Sequence, residues 1–267
     1  MTLYTQTSGD GSDLVLIHGW GLNGGIWDTL VPHLEQAGFR VTRIDLPGYG
    51  RSAWQGEADV SAQARAVLDG TPQRAAWLGW SMGSLVALRA ALDAPARIAQ
   101  LVLVAGTPSF IRRPGWTAAM EAGLLEDFAR DLQRDYLRTL QRFLLLQVRG
   151  SDAADAVLRE LRTRLLQHGH PVPEALLAGL DILRDTDLRA QLAHITCPAL
   201  WLMGARDTLV PEAAGPQAAA CMPDARVEVV AGAGHAPFLT RPADISGIIA
   251  DFLRPLHAGR AGVRNAD

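Results

Sequence analysis

An α/β fold, with a mostly parallel central sheet flanked by helices and an inserted helical cap, is predicted by three features of the sequence. Short apolar runs alternate with amphipathic stretches over the first hundred residues, helical periodicity alone fills residues 110–190, and strand-like runs resume at Ala199. The alternation implies parallel pairing, because a parallel crossover needs a dozen or more residues and is most often a helix. A chain of 267 residues accommodates one large α/β domain plus an insertion, and 48% apolar against 20% charged residues is enough to build a core. The expected division is a core of residues 1–109 and 191–256, a helical cap or lid of residues 110–190, and a disordered tail of residues 257–267, where apolar periodicity is lost.

The strand runs are Leu14–Ile17, Arg40–Asp45, Ala75–Gly79, Leu101–Ala105, Ala199–Met203 and Arg226–Val230, punctuated by Gly, Pro and Asp, several of them apolar enough to be buried on both faces. Helical stretches Ile26–Ala37, Ala58–Asp69 and Met82–Ala94 lie between the early ones. In the insertion the helical pattern covers Leu124–Val148, Ala153–Leu166 and Pro173–Leu183.

Composition removes several function classes. Twenty-five basic residues against 28 acidic ones leave a net charge of −3, which lacks the electrostatic footprint of a nucleic-acid binder. Every base is Arg; without Lys there is no Schiff-base lysine, Ser–Lys dyad or P-loop. Cys197 and Cys221 are the only cysteines and lack the clustered Cys/His spacing of a metal module, so neither a disulfide framework nor a zinc module is expected, and the thiols suit a reducing compartment. The N-terminus has no basic head or apolar run, and no stretch reaches the ~18 uncharged apolar residues of a membrane span. The expectation is a cytoplasmic monomer that binds neither nucleic acid nor membrane.

Chemistry enters at Gly79-Trp80-Ser81-Met82-Gly83, which follows the apolar run Ala75–Leu78 and precedes the helical run Leu85–Leu92. A serine at such a strand-to-helix corner sits in a strained turn, and flanking glycines let neighbouring backbones approach. The segment Gly50-Arg51-Ser52-Ala53-Trp54 lacks the second glycine. A hydroxyl is a weak nucleophile at neutral pH and needs a base. Of seven histidines, His235 is the one in a Gly-rich loop, Gly232–Phe238, directly after the last strand run. In an α/β-hydrolase the acid falls between nucleophile and base in the chain. Asp207 does so, just past Ala199–Met203 in a loop opened by Gly204 and closed by Pro211, whereas Asp45 precedes the serine and reads as a turn residue. An oxyanion hole would use the N–H of Met82 and one from the loop His18-Gly19-Trp20-Gly21-Leu22, through Trp20. Trp20 and Trp80 would also wall the acyl pocket.

With four motifs in order, the chain resembles the α/β-hydrolase superfamily over nearly its whole length. More narrowly, His18–Asn23, Asp45–Ser52, Trp77–Gly83, Arg142–Gln147 and Ala233–Phe238 are similar to the corresponding segments of the pimeloyl-acyl carrier protein methyl ester esterases of biotin synthesis. That resemblance implies a serine carboxylesterase that needs no cofactor or metal and acts on a pimeloyl methyl ester tethered to acyl carrier protein. It implies a substrate site lined by Trp20, Ser81, Met82, Phe143, Leu144, Leu145, Leu146, Gln147 and His235, and carrier docking by Arg138, Arg142 and Arg159, with Asp155 standing where a further base is expected.

Read from the residues alone, Phe143–Gln147 would equally pack the insertion on the sheet. Arg130, Arg134, Arg138 and Arg142 recur every four residues as one helical stripe, with Asp127, Asp131 and Asp135 each three residues before one of the first three and no such partner for Arg142. Arg149, Arg162 and Arg164 look thinly compensated, whereas Arg159 has Asp155 within reach. The insertion as a whole holds 12 Arg and 12 acidic residues, so attraction to an acidic carrier would be local. A general short-chain esterase or a carbon–carbon bond hydrolase is the alternative on the same fold, and a non-catalytic ligand receptor the alternative outside enzymology.

Overall fold

Seven strands form one sheet in the order β1-β3-β2-β4-β5-β6-β7 in a computed structural model that describes residues 3–149, 152 and 154–253. They are β1 (Thr5–Ser8), β2 (Ser12–Ile17), β3 (Phe39–Ile44), β4 (Ala75–Trp80), β5 (Ile98–Val104), β6 (Ala199–Gly204) and β7 (Ala225–Val230). All pairings are parallel except β1 with β3. Strands β4, β5 and β6, the fourth to sixth in that order, are buried along their whole length, because helices cover both faces. β1 has no counterpart among the apolar runs. Its residues Thr-Gln-Thr-Ser are all polar, and as a half-exposed edge strand it has no buried face to leave a hydrophobic mark.

Helices α1 (Val31–Gln36), α2 (Val60–Asp69) and α3 (Met82–Asp93) follow β2, β3 and β4 in the expected places. The stretch expected as one helix from Ile26 to Ala37 divides into a 3-10 turn at Gly24–Trp27, capped by the Asn23 side chain, and the short α1. Pro32 causes the division: it lacks an N–H and is tolerated only in the first turn of a helix.

Between β5 and β6 the insertion supplies α4 (Ala122–Arg134), α5 (Tyr136–Val148), α6 (Ala154–Leu166) and α7 (Pro173–Asp185). The expected single helix Leu124–Val148 is therefore two. Asp135 breaks it with extended backbone (φ −155°, ψ 91°), and its carboxylate accepts the N–H of Arg138 at 3.1 Å, capping α5. The four-arginine stripe is broken with it, and Arg142 pairs with Asp131 of α4 across the break at 2.7 Å. Arg164 is also well compensated. It bonds Glu160 at 2.7 Å and Asp28 of the core, and Asp28 in turn holds Arg43 of β3. After β6 come α8 (Ala214–Ala219), α9 (Pro237–Thr240) and α10 (Pro242–Leu253), the last packed against α1. The tail expected over residues 257–267 lies outside the described residues. Among the described residues no helix is long and apolar enough to cross a membrane.

The insertion is tied to loops at the carboxyl ends of β2 and β3. The Trp20 indole N–H donates to the Leu176 carbonyl at 2.8 Å, the Tyr49 hydroxyl to Ala175 at 3.1 Å, and the Val172 N–H to Gly48 at 2.8 Å. α4 packs on α5 and α7, and α6 reaches α9, so the four helices lie over one edge of the sheet.

Candidate active site

Ser81, Asp207 and His235 come from three loops at the carboxyl ends of β4, β6 and β7, the edge where open α/β sheets place their ligands. The chain turns sharply at Ser81, whose φ of +54° and ψ of −124° lie where a non-glycine residue is strained. The flanking glycines make that turn possible. A methyl group on Gly79 would lie 2.3 Å from the Gly83 carbonyl oxygen, and one on Gly83 2.5 Å from that of Ile17. The Ser84 hydroxyl donates to the Ser81 carbonyl at 2.6 Å and fastens the first turn of α3.

The three side chains meet in one relay. Ser81 Oγ lies 2.8 Å from His235 Nε2, and His235 Nδ1 lies 2.7 Å from Asp207 Oδ2. A carboxylate only accepts, so Nδ1 carries the proton and Nε2 is left to accept from the serine hydroxyl. The second carboxylate oxygen, Asp207 Oδ1, accepts the N–H groups of Leu209 at 2.8 Å and Val210 at 3.0 Å, which fixes the carboxylate plane. All three residues are buried, His235 to 1% exposure. The Asp207 and His235 loops run against each other: a methyl group on Gly204 would fall 2.1 Å from the Gly234 carbonyl oxygen.

The loop after β2 faces Ser81. A methyl group on Gly19 would come within 3.1 Å of Ser81 Cβ, so the Gly19–Trp20 backbone passes directly beside the serine. Met82 is the first residue of α3, whose first N–H groups have no partner within the helix. His18, one of the six histidines set aside as bases, anchors this loop. Its Nδ1–H donates to the Gly19 carbonyl at 2.8 Å and its Nε2 accepts the Leu46 N–H at 2.9 Å; burial holds its pKa below the ordinary imidazole value. Asp45 is a turn residue as expected, accepting from Gly24, from the Arg51 N–H and from the Arg51 guanidinium. Burial pulls its pKa upward, but the Arg51 and Gly24 hydrogen bonds outweigh that and hold it below the usual carboxylate range.

The α5 residues divide by face. Phe143, Leu144 and Gln147 are buried, with the Phe143 ring edge-on to Trp20 at 4.7 Å, and Leu146 is half-buried. Leu145 is 48% exposed and points to solvent, away from the relay. The end of α5 touches the loops of both His235 and Asp207: the Gln147 carbonyl accepts the His235 N–H at 3.3 Å and the Leu146 carbonyl accepts the Thr208 hydroxyl at 3.4 Å. Trp80, expected as a pocket wall, is fully buried against Trp27 and Phe238, and its N–H donates to the His235 carbonyl. Neither role left a trace in spacing, since a side-chain bond to a distant carbonyl has no periodicity. Arg138 and Arg142 line a surface cleft of about 510 Å³ with Asp131, Arg134, Asp135 and Thr139; Arg159 is exposed on α6.

This arrangement has close counterparts. The model of the α/β hydrolase fold matches residues 14–242. The chain is 41% identical to the pimeloyl-[acyl-carrier protein] methyl ester esterase of Aliivibrio salmonicida (strain LFI1238), covering 95% of this chain and 97% of that protein. It is 44% identical to the enzyme of the same name from Methylococcus capsulatus (strain ATCC 33009 / NCIMB 11132 / Bath), covering 95% and 99%. An esterase from Exiguobacterium antarcticum superposes with a TM-score of 0.85 over 94% of this chain and 95% of its own, at 22% identity, a likeness of fold. The chain belongs to the α/β-hydrolase family and, within it, to the family of pimeloyl-[acyl-carrier protein] methyl ester esterases.

Proposed function

We propose that this protein hydrolyses the methyl ester of pimeloyl-acyl carrier protein to methanol and the free acid, with Ser81 as nucleophile, His235 as base and Asp207 as its orienting acid. The observation that carries the reading is the unbroken relay from Ser81 Oγ through His235 to Asp207, in a chain whose relatives bear that enzyme name. His235 Nε2 takes the Ser81 proton as Oγ attacks the ester carbonyl carbon. The carbonyl π electrons move to oxygen, and the N–H groups of Trp20 and Met82 hold the oxyanion. On collapse the carbon–oxygen bond to the methoxy group breaks and that oxygen takes the proton from His235, leaving an acyl-Ser81 ester. Water, deprotonated by the same imidazole, then releases the acid and restores the serine. Asp207 stabilises the imidazolium without taking its proton. Residues 110–190 form the cap over this chemistry, with Trp20, Phe143, Leu144, Leu146 and Gln147 lining the acyl site. Leu145, facing solvent, stands outside it.

Ser81→Ala is expected to abolish methanol release by as much as ~10⁶-fold if the three residues act as a unit; near-full turnover would end the proposal. For the carrier, Arg138, Arg142 and Arg159 form the docking set. Arg142 is engaged with Asp131, so Arg138→Glu is the cleaner probe. It should lower kcat/KM on the carrier-bound ester by on the order of tenfold and spare a small free methyl ester, since rim charges act mainly on association. Equal losses on both substrates would refute docking there.

A further inference from the structure

We infer that Trp80 is a positioning residue for the imidazole of His235, holding one side of a clamp whose other side is the end of α5. The inference rests on the reading of His235 as the base. His235 lies in a loop whose approach, Gly232-Ala233-Gly234, has little intrinsic stiffness, with Gly232 at φ +73°. Yet the imidazole must keep hydrogen-bond geometry to two partners at once. Its own peptide is held from both sides. The N–H donates to the Gln147 carbonyl at 3.3 Å, and the carbonyl accepts the Trp80 indole N–H at 2.8 Å.

Trp80 can carry that load because it cannot move. Its ring is completely buried, meets Phe238 edge-on at 5.2 Å and Trp27 at 6.3 Å, and lies 5.7 Å from the imidazole itself. It also directly precedes Ser81 in the chain. The bond from Trp80 to the His235 carbonyl therefore measures the base against the nucleophile's own backbone, so Oγ and Nε2 keep their spacing even if the loop shifts elsewhere. A misplacement of about 1 Å at such a site costs on the order of 10²-fold in rate. An indole that only filled the core would need no donor aimed at this one carbonyl.

The test removes the donor and keeps the shape. Trp80 is replaced in the full-length protein by 3-benzothienylalanine, in which sulfur stands for the N–H, and in parallel by Trp80→Phe. Both are assayed on carrier-bound and free methyl esters below their melting temperatures. Positioning predicts that kcat falls by about 10–100-fold on both esters while KM stays within about threefold, because the loss is confined to the transition state. It also predicts loss or broadening of the far-downfield proton resonance of the His235 Nδ1–H shared with Asp207. A folded sulfur isostere with kcat within about twofold of the parent and that resonance unchanged would overturn the inference; if the isostere does not fold, the same criterion applies to Trp80→Phe. Ser81→Ala is run alongside. An active Ser81→Ala would overturn the underlying reading of the site, whereas an inactive one beside a fully active Trp80 variant would overturn only the clamp.

Discussion

A proton cannot bind His18 without displacing one of its two hydrogen bonds, and the consequence is a stability that depends on pH. Nδ1 already donates and Nε2 already accepts, in a site where burial lowers the pKa. Above the unfolded-chain imidazole value of ~6.5 both native and unfolded states are neutral here, and the full contribution of His18 is present. Below it the unfolded chain binds a proton that the native state refuses, so stability falls as pH drops toward the depressed native value. Urea unfolding at pH 7.5 and 5.5 is expected to show this loss, and His18→Asn should be less stable at pH 7.5 but less sensitive to the change. An unchanged pH sensitivity in that variant would refute the assignment. At this scale the sequence was legible where chemistry demands a residue type at a chain position. Ser81 between glycines, Asp207 after a strand and Asp45 in a turn all lie where their spacing put them. The hydrogen bonds of His18 Nε2 and of the Trp80 indole were illegible, because their partners are backbone groups 28 and 155 residues away, and such bonds leave no pattern.

At the scale of elements, the insertion shows how an uninterrupted pattern can hide a break. Amphipathic spacing runs through residues 124–148, yet Asp135 prefers to cap the following helix rather than continue the preceding one. The break redirects α5, so that Phe143 reaches Trp20 while Arg138 and Arg142 remain on the outside. Asp135→Ala should cost about 1 kcal/mol in denaturant unfolding, the usual worth of such a cap, and should speed amide exchange in the first turn of α5. Stability and exchange both equal to the parent's would show that the cap carries no weight. Strands buried on both faces, β4, β5 and β6, announced themselves as apolar runs. β1 could not, since it buries no apolar face and owes its existence to pairing with β3.

At the scale of the whole molecule, alternation of strand and helix was enough to fix parallel pairing, but not the strand order, which depends on which crossovers pack against which face. That helices alone fill the chain between β5 and β6 was legible from a change of period. Their seating was not, because the ties from Trp20 to Leu176 and from Asp28 to Arg164 join segments more than a hundred residues apart. The contacts between Gly83 and Ile17 and between Gly204 and Gly234 have a consequence that reaches beyond this one reaction. Backbone pressed on backbone leaves no room for a side chain, so the foundations that set the relay's dimensions tolerate almost no rewriting. Helices α4–α7 are joined to them by side chains and single hydrogen bonds, which can be exchanged one at a time. New ester preferences on this scaffold are therefore most cheaply written in those helices, with the backbone contacts left as they stand.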